Sequence, residues 1–125
     1  MNKKKEKQIT EYLPLTESSF YILLTLTNEL HGYGIMQQVE DLSKGIVTLG
    51  PGTLYGALTT MENEDLIMMV REEGRRKVYH LTSKGAEVLL SQINRYKIML
   101  KNVKSYETDI KNLINNREEH HESEI

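Results

Sequence analysis

The first half of the chain alternates between apolar residues at helical spacing and breaks marked by glycine or proline, which predicts three short helices. The first covers residues 17–30, with Thr16 as its N-cap and Gly32 as the signal that ends it. The second covers residues 34–43. The third covers residues 51–63 and begins with a proline, whose missing N–H costs nothing in the first turn of a helix.

The second half of the chain predicts a β-hairpin followed by one long helix. Residues 66–71 and 77–81 are apolar runs of strand length, and Gly74 between them supplies the freedom that a tight turn needs. Thr82 is a candidate cap for a helix over residues 83–117. Apolar residues recur in this helix at the 3-4 spacing of paired helices, apart from an interruption at residue 107. We therefore expect a homodimer with these core positions: Leu89, Ile93, Tyr96, Leu100, Val103 and Ile110.

The outer face of the third helix has an unusual composition. Leu54, Leu58 and Met61 share the inward face at i, i+4 and i+7. A solvated helix face normally carries Lys and Glu, yet this helix contains no Lys or Arg. Small residues suit a surface that lies close against another molecule. The outward positions are small or polar: Gly52, Thr53, Gly56, Thr59, Thr60 and Asn63.

Composition excludes several classes of protein. The chain has 125 residues and no cysteine, which rules out a disulfide scaffold, a thiolate zinc site and a cysteine nucleophile. Its four histidines show no metal-ligand spacing, and no catalytic triad or phosphate-cradling glycine loop is present, so we expect neither an enzyme nor a cofactor. Every apolar run is far shorter than the roughly 20 residues of a membrane span, so we expect a soluble, cytoplasmic protein.

Charge is segregated along the chain, although the net charge is only −2. Residues 8–70 contain eight acids and one base, and residues 117–125 are also acidic. Positive charge is concentrated in residues 1–7 and in the hairpin around Arg75, Arg76 and Lys77. Each basic cluster is either solvated surface or a site for an anionic partner.

The order and spacing of these elements predict a mostly helical α+β fold, a winged helix-turn-helix with a two-stranded wing and a long C-terminal dimerisation helix. The expected organisation is a flexible basic arm over residues 1–11, a DNA-binding domain over residues 12–82, the dimerisation helix over residues 83–117 and an acidic frayed tail over residues 118–125.

Three motifs, in the right order and spacing over about residues 12–105, resemble the PadR family of bacterial transcriptional regulators, specifically its small subfamily. Two positions depart from the family pattern. Gly56 stands where proline is common, and Asp65 stands where glycine is common, but aspartate tolerates the left-handed conformation that this turn requires. The motifs are His31-Gly32-Tyr33-Gly34-Ile35, Gly52-Thr53-Leu54-Tyr55-x-x-Leu58 and Gly74-Arg75-Arg76-Lys77-x-Tyr79-x-Leu81-Thr82-x-x-Gly85.

The resemblance implies a sequence-specific regulator, expected to be a repressor, that binds double-stranded operator DNA at an inverted repeat. The third helix would enter the major groove by its N-terminus, the tyrosine hydroxyls would meet phosphates, and the wing would hold the backbone or the minor groove. The tyrosines alternatively pack at the domain surface, and the wing charges are alternatively solvated. No arginine of the third helix is placed to read guanine, so DNA shape is expected to matter. The candidate DNA-binding residues are Tyr33, Gly52, Thr53, Tyr55, Gly56, Thr59, Arg75, Arg76 and Lys77.

The resemblance also implies a small hydrophobic or aromatic effector, because some small members bind flat compounds between the dimer helices. Leu89, Ile93 and Tyr96 are the candidate effector residues, with ordinary dimer core as the alternative. The lysines of residues 1–7 either follow the DNA backbone or form disordered surface. The alternative function for the whole chain is a winged-helix module that binds another protein and not DNA.

Overall fold

A computed structural model describes residues 7–123 of the chain, with side chains described for residues 7–117. A short 3-10 helix, Ile9–Tyr12, precedes the main elements. These are α1 (Glu17–Thr25), β1 (Leu30–His31), α2 (Gly32–Leu42), α3 (Pro51–Asn63), β2 (Ile67–Glu73), β3 (Arg76–Leu81) and α4 (Ser83–Ser123). This mostly helical order with a small antiparallel sheet confirms the predicted winged helix-turn-helix.

The first helix is shorter than predicted, and Gly32 has a different role. The α1 helix ends at Thr25, and residues 30 and 31 pair with β3, where Leu30 lies opposite Tyr79. Gly32 therefore begins α2 and does not terminate α1, which corrects the interpretation of this glycine as a C-terminal signal. Local periodicity missed this strand because its partner lies almost 50 residues further along the chain.

The sheet has the order β1-β3-β2, and β2 and β3 form the wing. Glu73 lies opposite Arg76, so a two-residue turn connects the strands, and Gly74 occupies its first position with a φ of 63°. Glycine at the first central position suits a type II′ hairpin turn. Asp65, at the entrance to the wing, has a φ of 60°, which confirms that aspartate here adopts the left-handed conformation.

One apolar core holds α1, α2, α3 and the wing together with the first turns of α4. The wing is fixed to α4 at Gly85, because a Cβ atom on this residue would lie 2.0 Å from the backbone oxygen of Leu66. The Thr82 hydroxyl reinforces this junction: it donates to Asp65 O at 2.6 Å and accepts from Gly85 N at 3.0 Å. The core residues include Ile22, Leu23, Leu26, Ile35, Val39, Leu54, Leu58, Ile67, Val78 and Val88.

The start of the described chain is attached to the domain. The ammonium groups of Lys7 and Lys84 lie 5.2 Å and 5.1 Å from the ring centroid of Tyr12, and Lys7 pairs with Glu64 at 3.4 Å. The sequence predicted a flexible arm over residues 1–11 and did not predict the 3-10 helix within it. The lysines at positions 3–5 lie outside the described residues.

The chain divides into two compact units between Gln92 and Ile93. Gln92 belongs to the first unit, where it is 1% exposed and its Oε1 accepts a hydrogen bond from Leu15 N at 2.7 Å. Leu89 belongs there as well and is only 5% exposed. A residue so deeply buried in its own domain has little surface left for a second chain, so its contribution is to the domain core.

The second unit consists of the remainder of α4, which extends to Ser123, six residues beyond the predicted end of the helix. Many of its apolar side chains are exposed, among them Leu100, Val103 and Ile110 of the predicted stripe. Side chains from residue 118 onward, and with them much of the predicted acidic tail, lie outside the described residues. The predicted stripe overlooked a second, uninterrupted 3-4 row, which avoids residue 107: Tyr96, Met99, Val103, Tyr106, Ile110 and Leu113.

Candidate nucleic-acid interface

The outward face of α3 is exposed, and its two glycines are not packed against other parts of the domain. Gly52, Thr53, Gly56 and Thr59 are all exposed. A Cβ atom built on Gly52 or Gly56 would meet no atom within 4 Å, so nothing in the described structure requires glycine at either position. The Thr59 hydroxyl donates to Tyr55 O at 2.9 Å, which leaves its oxygen as an acceptor. This face therefore offers a smooth, neutral surface to which another molecule's backbone can come close.

Two tyrosines flank this face, and each is more than half exposed. Tyr33 on α2 is 59% exposed, and Tyr55 on α3 is 51% exposed. Gln37 donates from Nε2 to the Tyr33 hydroxyl oxygen at 3.0 Å, so the tyrosine proton remains free to be donated elsewhere. Tyr55 lies across Gly32, where an added Cβ would come within 2.7 Å of its hydroxyl oxygen. The glycine thus makes room for the tyrosine.

The basic side chains of the wing form two groups with different surroundings. Arg71 on β2 is held by Glu29 and by Glu73, and its hydrogen bond lowers the pKa of the Glu29 carboxyl below its usual value. Arg75, Arg76 and Lys77, here named the basic wing cluster, are exposed. Within the part of the chain that the structure describes, no carboxylate pairs with this cluster. Within the wing, the basic wing cluster therefore offers positive charge that no carboxylate compensates, whereas the charge of Arg71 is compensated.

A cavity of about 400 Å³ joins these surfaces, and we name it the wing cavity. Six of the nine predicted DNA-binding residues line it, namely Tyr33, Tyr55, Thr59 and the basic wing cluster. Gly52, Thr53 and Gly56 are exposed on α3 but do not line the cavity. The cationic groups and the two exposed tyrosine hydroxyls that converge on this concave surface are suited to a phosphate oxygen, since both can donate hydrogen bonds to it.

Sequence reasoning missed four residues of this region. His31, Gly32 and Tyr79 line the wing cavity, and Gln37 holds the Tyr33 hydroxyl. Tyr79 is 6% exposed, and burial, followed by the nearby Glu62 carboxylate and Tyr55, raises the pKa of its hydroxyl. The pairing of β1 with β3 brings His31 to the wing, and this pairing was not predicted. Gln37 was detectable in principle, because it lies one helical turn after Tyr33.

Curated relatives match about half of the chain. An uncharacterised 37.1 kDa protein in transposon TN4556 of Streptomyces fradiae is 43% identical over 60 residues, which are 48% of this chain and 17% of that protein. The transcriptional regulator YqjI of Escherichia coli (strain K12) is 36% identical over 62 residues, 50% of this chain and 30% of that protein. The matched segment spans less than a third of either relative.

Solved structures match a larger share of the chain. A PadR family transcription regulator from Clostridium difficile is 26% identical with a TM-score of 0.63, and the match covers 73% of this chain and 98% of that one. A PadR-like transcription factor from Bacteroides fragilis is 28% identical with a TM-score of 0.58, covering 70% and 86%. RosR of H. salinarum, at 20% identity, a TM-score of 0.62 and a coverage of 78% and 94%, supports the fold alone.

No helix of the described residues is both long enough and apolar enough to span a membrane.

The family model agrees with these matches. The model of the PadR-like family of transcriptional regulators matches residues 22–91, more than half of the chain, and includes α2, α3 and the whole wing. The chain therefore belongs to the PadR-like family of transcriptional regulators, which are not enzymes.

Proposed function

We propose that this regulator is a repressor that binds an inverted-repeat DNA operator as a homodimer. The observation that carries the proposal is the wing cavity, where two exposed tyrosines, Thr59 and the basic wing cluster converge beside the open N-terminal face of α3. In this docking the first turn of α3 enters the major groove and the wing cavity receives a backbone phosphate. The two half-sites are separated by about one helical turn or a multiple of it.

The chemistry of α3 limits how the operator is read. The helix has no Arg or Lys, so the bidentate arginine–guanine contact, which is the commonest specific contact, is absent from it. Thr53 offers a hydroxyl and a methyl group to base edges, and the two glycines permit close approach. Specificity therefore rests partly on the shape and deformability of the DNA. Methylation interference with guanine N7 contacts dominating each half-site would contradict this part of the proposal.

Salt dependence tests the proposed DNA binding directly. The probe is a duplex that carries the DNA upstream of the chain's own gene, titrated between about 50 and 200 mM salt. Neutralisation of phosphates releases counterions, so we expect the association constant to fall steeply as salt rises. A flat salt response, or no binding, would favour the alternative of a winged-helix module whose partner is a protein.

The exposed apolar row of the second unit supports the homodimer. Glutamate in such a row places a charge in a helix-pairing seam, which is costly to bury. We expect Ile110→Glu to convert the dimer to a monomer in light scattering. The control is Ile98→Glu, at an exposed isoleucine that lies outside the row. A dimer that survives Ile110→Glu, or dissociates equally with Ile98→Glu, would place the interface elsewhere.

We also propose that a flat hydrophobic effector binds between the paired helices against Tyr96. Tyr96 and Ile93 are both partly exposed in the second unit, unlike the buried Leu89, so they are the effector candidates that remain accessible. Titration with planar cationic dyes should show binding that Tyr96→Ala removes, since the ring supplies the stacking surface. Equal, weak binding by the wild type and the variant would leave Tyr96 as ordinary dimer core.

A further inference from the structure

His31 occupies a position in the wing cavity that the proposed docking does not use. Its ring Nε2 lies 3.4 Å from Nη1 of Arg76, and its Nδ1 is buried without a hydrogen-bond partner among the described residues. A Cβ atom added to Gly34, in the first turn of α2, would lie 3.9 Å from Nδ1 of His31. The ring is thus enclosed on one side by α2 and faces Arg76 on the other.

The contact with Arg76 assigns roles to the two ring nitrogens. A guanidinium has only donors, so a hydrogen bond in this contact requires Nε2 to accept, which is the tautomer that carries its proton on Nδ1. Protonation of Nε2 would replace this acceptor with a second donor. The contact with Arg76 would then be lost, and the guanidinium would be released from the wall of the cavity.

We propose that His31 is a positioning residue that couples DNA binding to the uptake of a proton. This inference rests on the proposed function, because it takes the occupant of the wing cavity to be a DNA phosphate. With the ring neutral, His31 holds the Arg76 guanidinium. With the ring protonated, it frees the guanidinium for the phosphate and adds a positive charge that attracts the same phosphate.

The groups that face His31 determine the sign of the coupling. No carboxylate is present among the residues that line the cavity; Glu29 is engaged by Arg71, and the Glu62 carboxylate lies near Tyr79 on the cavity wall. A phosphate bound inside the cavity adds the negative charge that an imidazolium there would meet directly. Because linkage is reciprocal, a phosphate that favours the protonated ring binds more tightly when the ring is protonated. The titratable or cationic groups around the ring are Tyr33 of α2, Tyr55 of α3, Tyr79 of β3, and Arg75, Arg76 and Lys77 of the wing.

The test is the affinity for the upstream duplex at about pH 6 and about pH 8, the range in which histidine changes charge, at constant ionic strength. We expect the wild type to bind severalfold more tightly at the lower pH. Uptake of one proton limits the change to about tenfold per pH unit and per protomer. His31→Gln keeps a neutral polar side chain of similar size but takes up no proton, so its affinity should be independent of pH.

His80→Gln is the matched control, since His80 lies on β3 of the same sheet and is partly buried like His31, but does not line the cavity. This variant should keep the wild-type pH dependence. Equal affinity of the wild type at both pH values, or a pH dependence that survives in His31→Gln or disappears in His80→Gln, would overturn the inference while the proposed DNA binding stands. Failure of the wild type to bind at either pH would instead contradict the proposed function.

A second measurement needs no variant, and so does not depend on the folding of His31→Gln. Calorimetric titration of the wild type with the same duplex, in two buffers of different ionisation enthalpy, reports the number of protons taken up on binding. We expect a net uptake of up to one proton per protomer. No uptake, or a release, would overturn the inference.

Discussion

The outer face of α3 and the wing border the same cavity, yet they contribute opposite kinds of chemistry. The face of α3 is neutral and small, and its two glycines leave the helix backbone uncovered. The wing carries the uncompensated cations of the basic wing cluster. Phosphate contacts supply affinity and register, whereas contacts to base edges supply specificity. In the proposed docking, the wing therefore supplies most of the affinity, and α3 supplies the shape complementarity to the groove.

This division accounts for a regulator with a net charge of −2. Along the sequence, the acidic residues are concentrated in residues 8–70 and in the last nine residues, whereas the wing segment over residues 71–84 carries a net positive charge. An acidic scaffold repels DNA that is not correctly docked, because charges of like sign within about 10 Å repel each other at moderate salt. Binding should therefore be weak on random DNA and should depend strongly on the basic wing cluster.

Gly85→Ala should have the largest effect, since it breaks the junction that holds both regions in place. The added methyl group would overlap the Leu66 carbonyl oxygen, and neither backbone segment can yield without moving β2 from α4. We expect the free energy of unfolding to fall by about 3 kcal/mol, at the upper end for overpacking. Thermal or urea unfolding measures this change. A loss below about 1 kcal/mol would show that the junction is pliable.

Neutralising the basic wing cluster with the triple change to glutamine should have the next largest effect. We expect about a hundredfold weaker binding to DNA, because the cluster's contacts with phosphates are lost. Each lost phosphate contact should also lower the salt slope by about one. The stability of the fold should change little, since all three side chains are exposed. The control is the triple change of Lys97, Lys101 and Lys104 to glutamine, which removes the same charge from the second unit. Equal losses in both triples would mean that net charge alone matters.

Tyr55→Phe tests the boundary between the two regions, because Tyr55 belongs to α3 but lines the wing cavity. Loss of a hydrogen bond from its hydroxyl to a phosphate should weaken binding about tenfold, as expected for bonds to charged groups. Tyr106→Phe in the second unit is the matched control and should leave binding unchanged. If Tyr55→Phe binds like the wild type, its hydroxyl does not contact the DNA and the ring is only a surface feature.

Gly56→Ala should have the smallest effect, and it should change two properties in opposite directions. Alanine in a helix interior is more stable than glycine by about 0.5–1 kcal/mol, and open space surrounds this position. The melting temperature should therefore rise. Affinity for DNA should fall severalfold, since the methyl group projects from the face that docks. A variant that is more stable and binds equally well would show that α3 does not approach DNA closely at this residue.

Local sequence patterns predicted the elements whose signals lie within a few residues. Pro51 at the start of α3, Gly74 in the wing turn and Asp65 in its left-handed turn are each found where the sequence placed them. Features that depend on distant pairing were not predictable in this way. The strand at residues 30 and 31 exists only through β3, and this pairing brings His31 to Arg76. The wing cavity could therefore be identified only from the structure, although six of its lining residues were expected at the interface.

In the second unit, the 3-4 spacing of apolar residues did not identify which positions are open to a partner. Several apolar rows on a long helix satisfy a 3-4 spacing, and the predicted stripe included the break at Glu107. Exposure separates Leu89, which is buried in the first unit, from the positions that are open to a partner. Sequence periodicity alone does not carry this distinction, because core residues of the same chain and interface residues share one pattern.

The salt dependence of binding, compared between the wing triple and Gly56→Ala, tests the division of roles most directly. If the wing supplies the charge and α3 the fit, the slope of log K against log salt should become shallower by about 0.9 for each lost phosphate contact in the wing triple. In Gly56→Ala the slope should match that of the wild type while the affinity is lower at every salt concentration. An unchanged slope in the wing triple, or a slope that changes only in Gly56→Ala, would contradict the account.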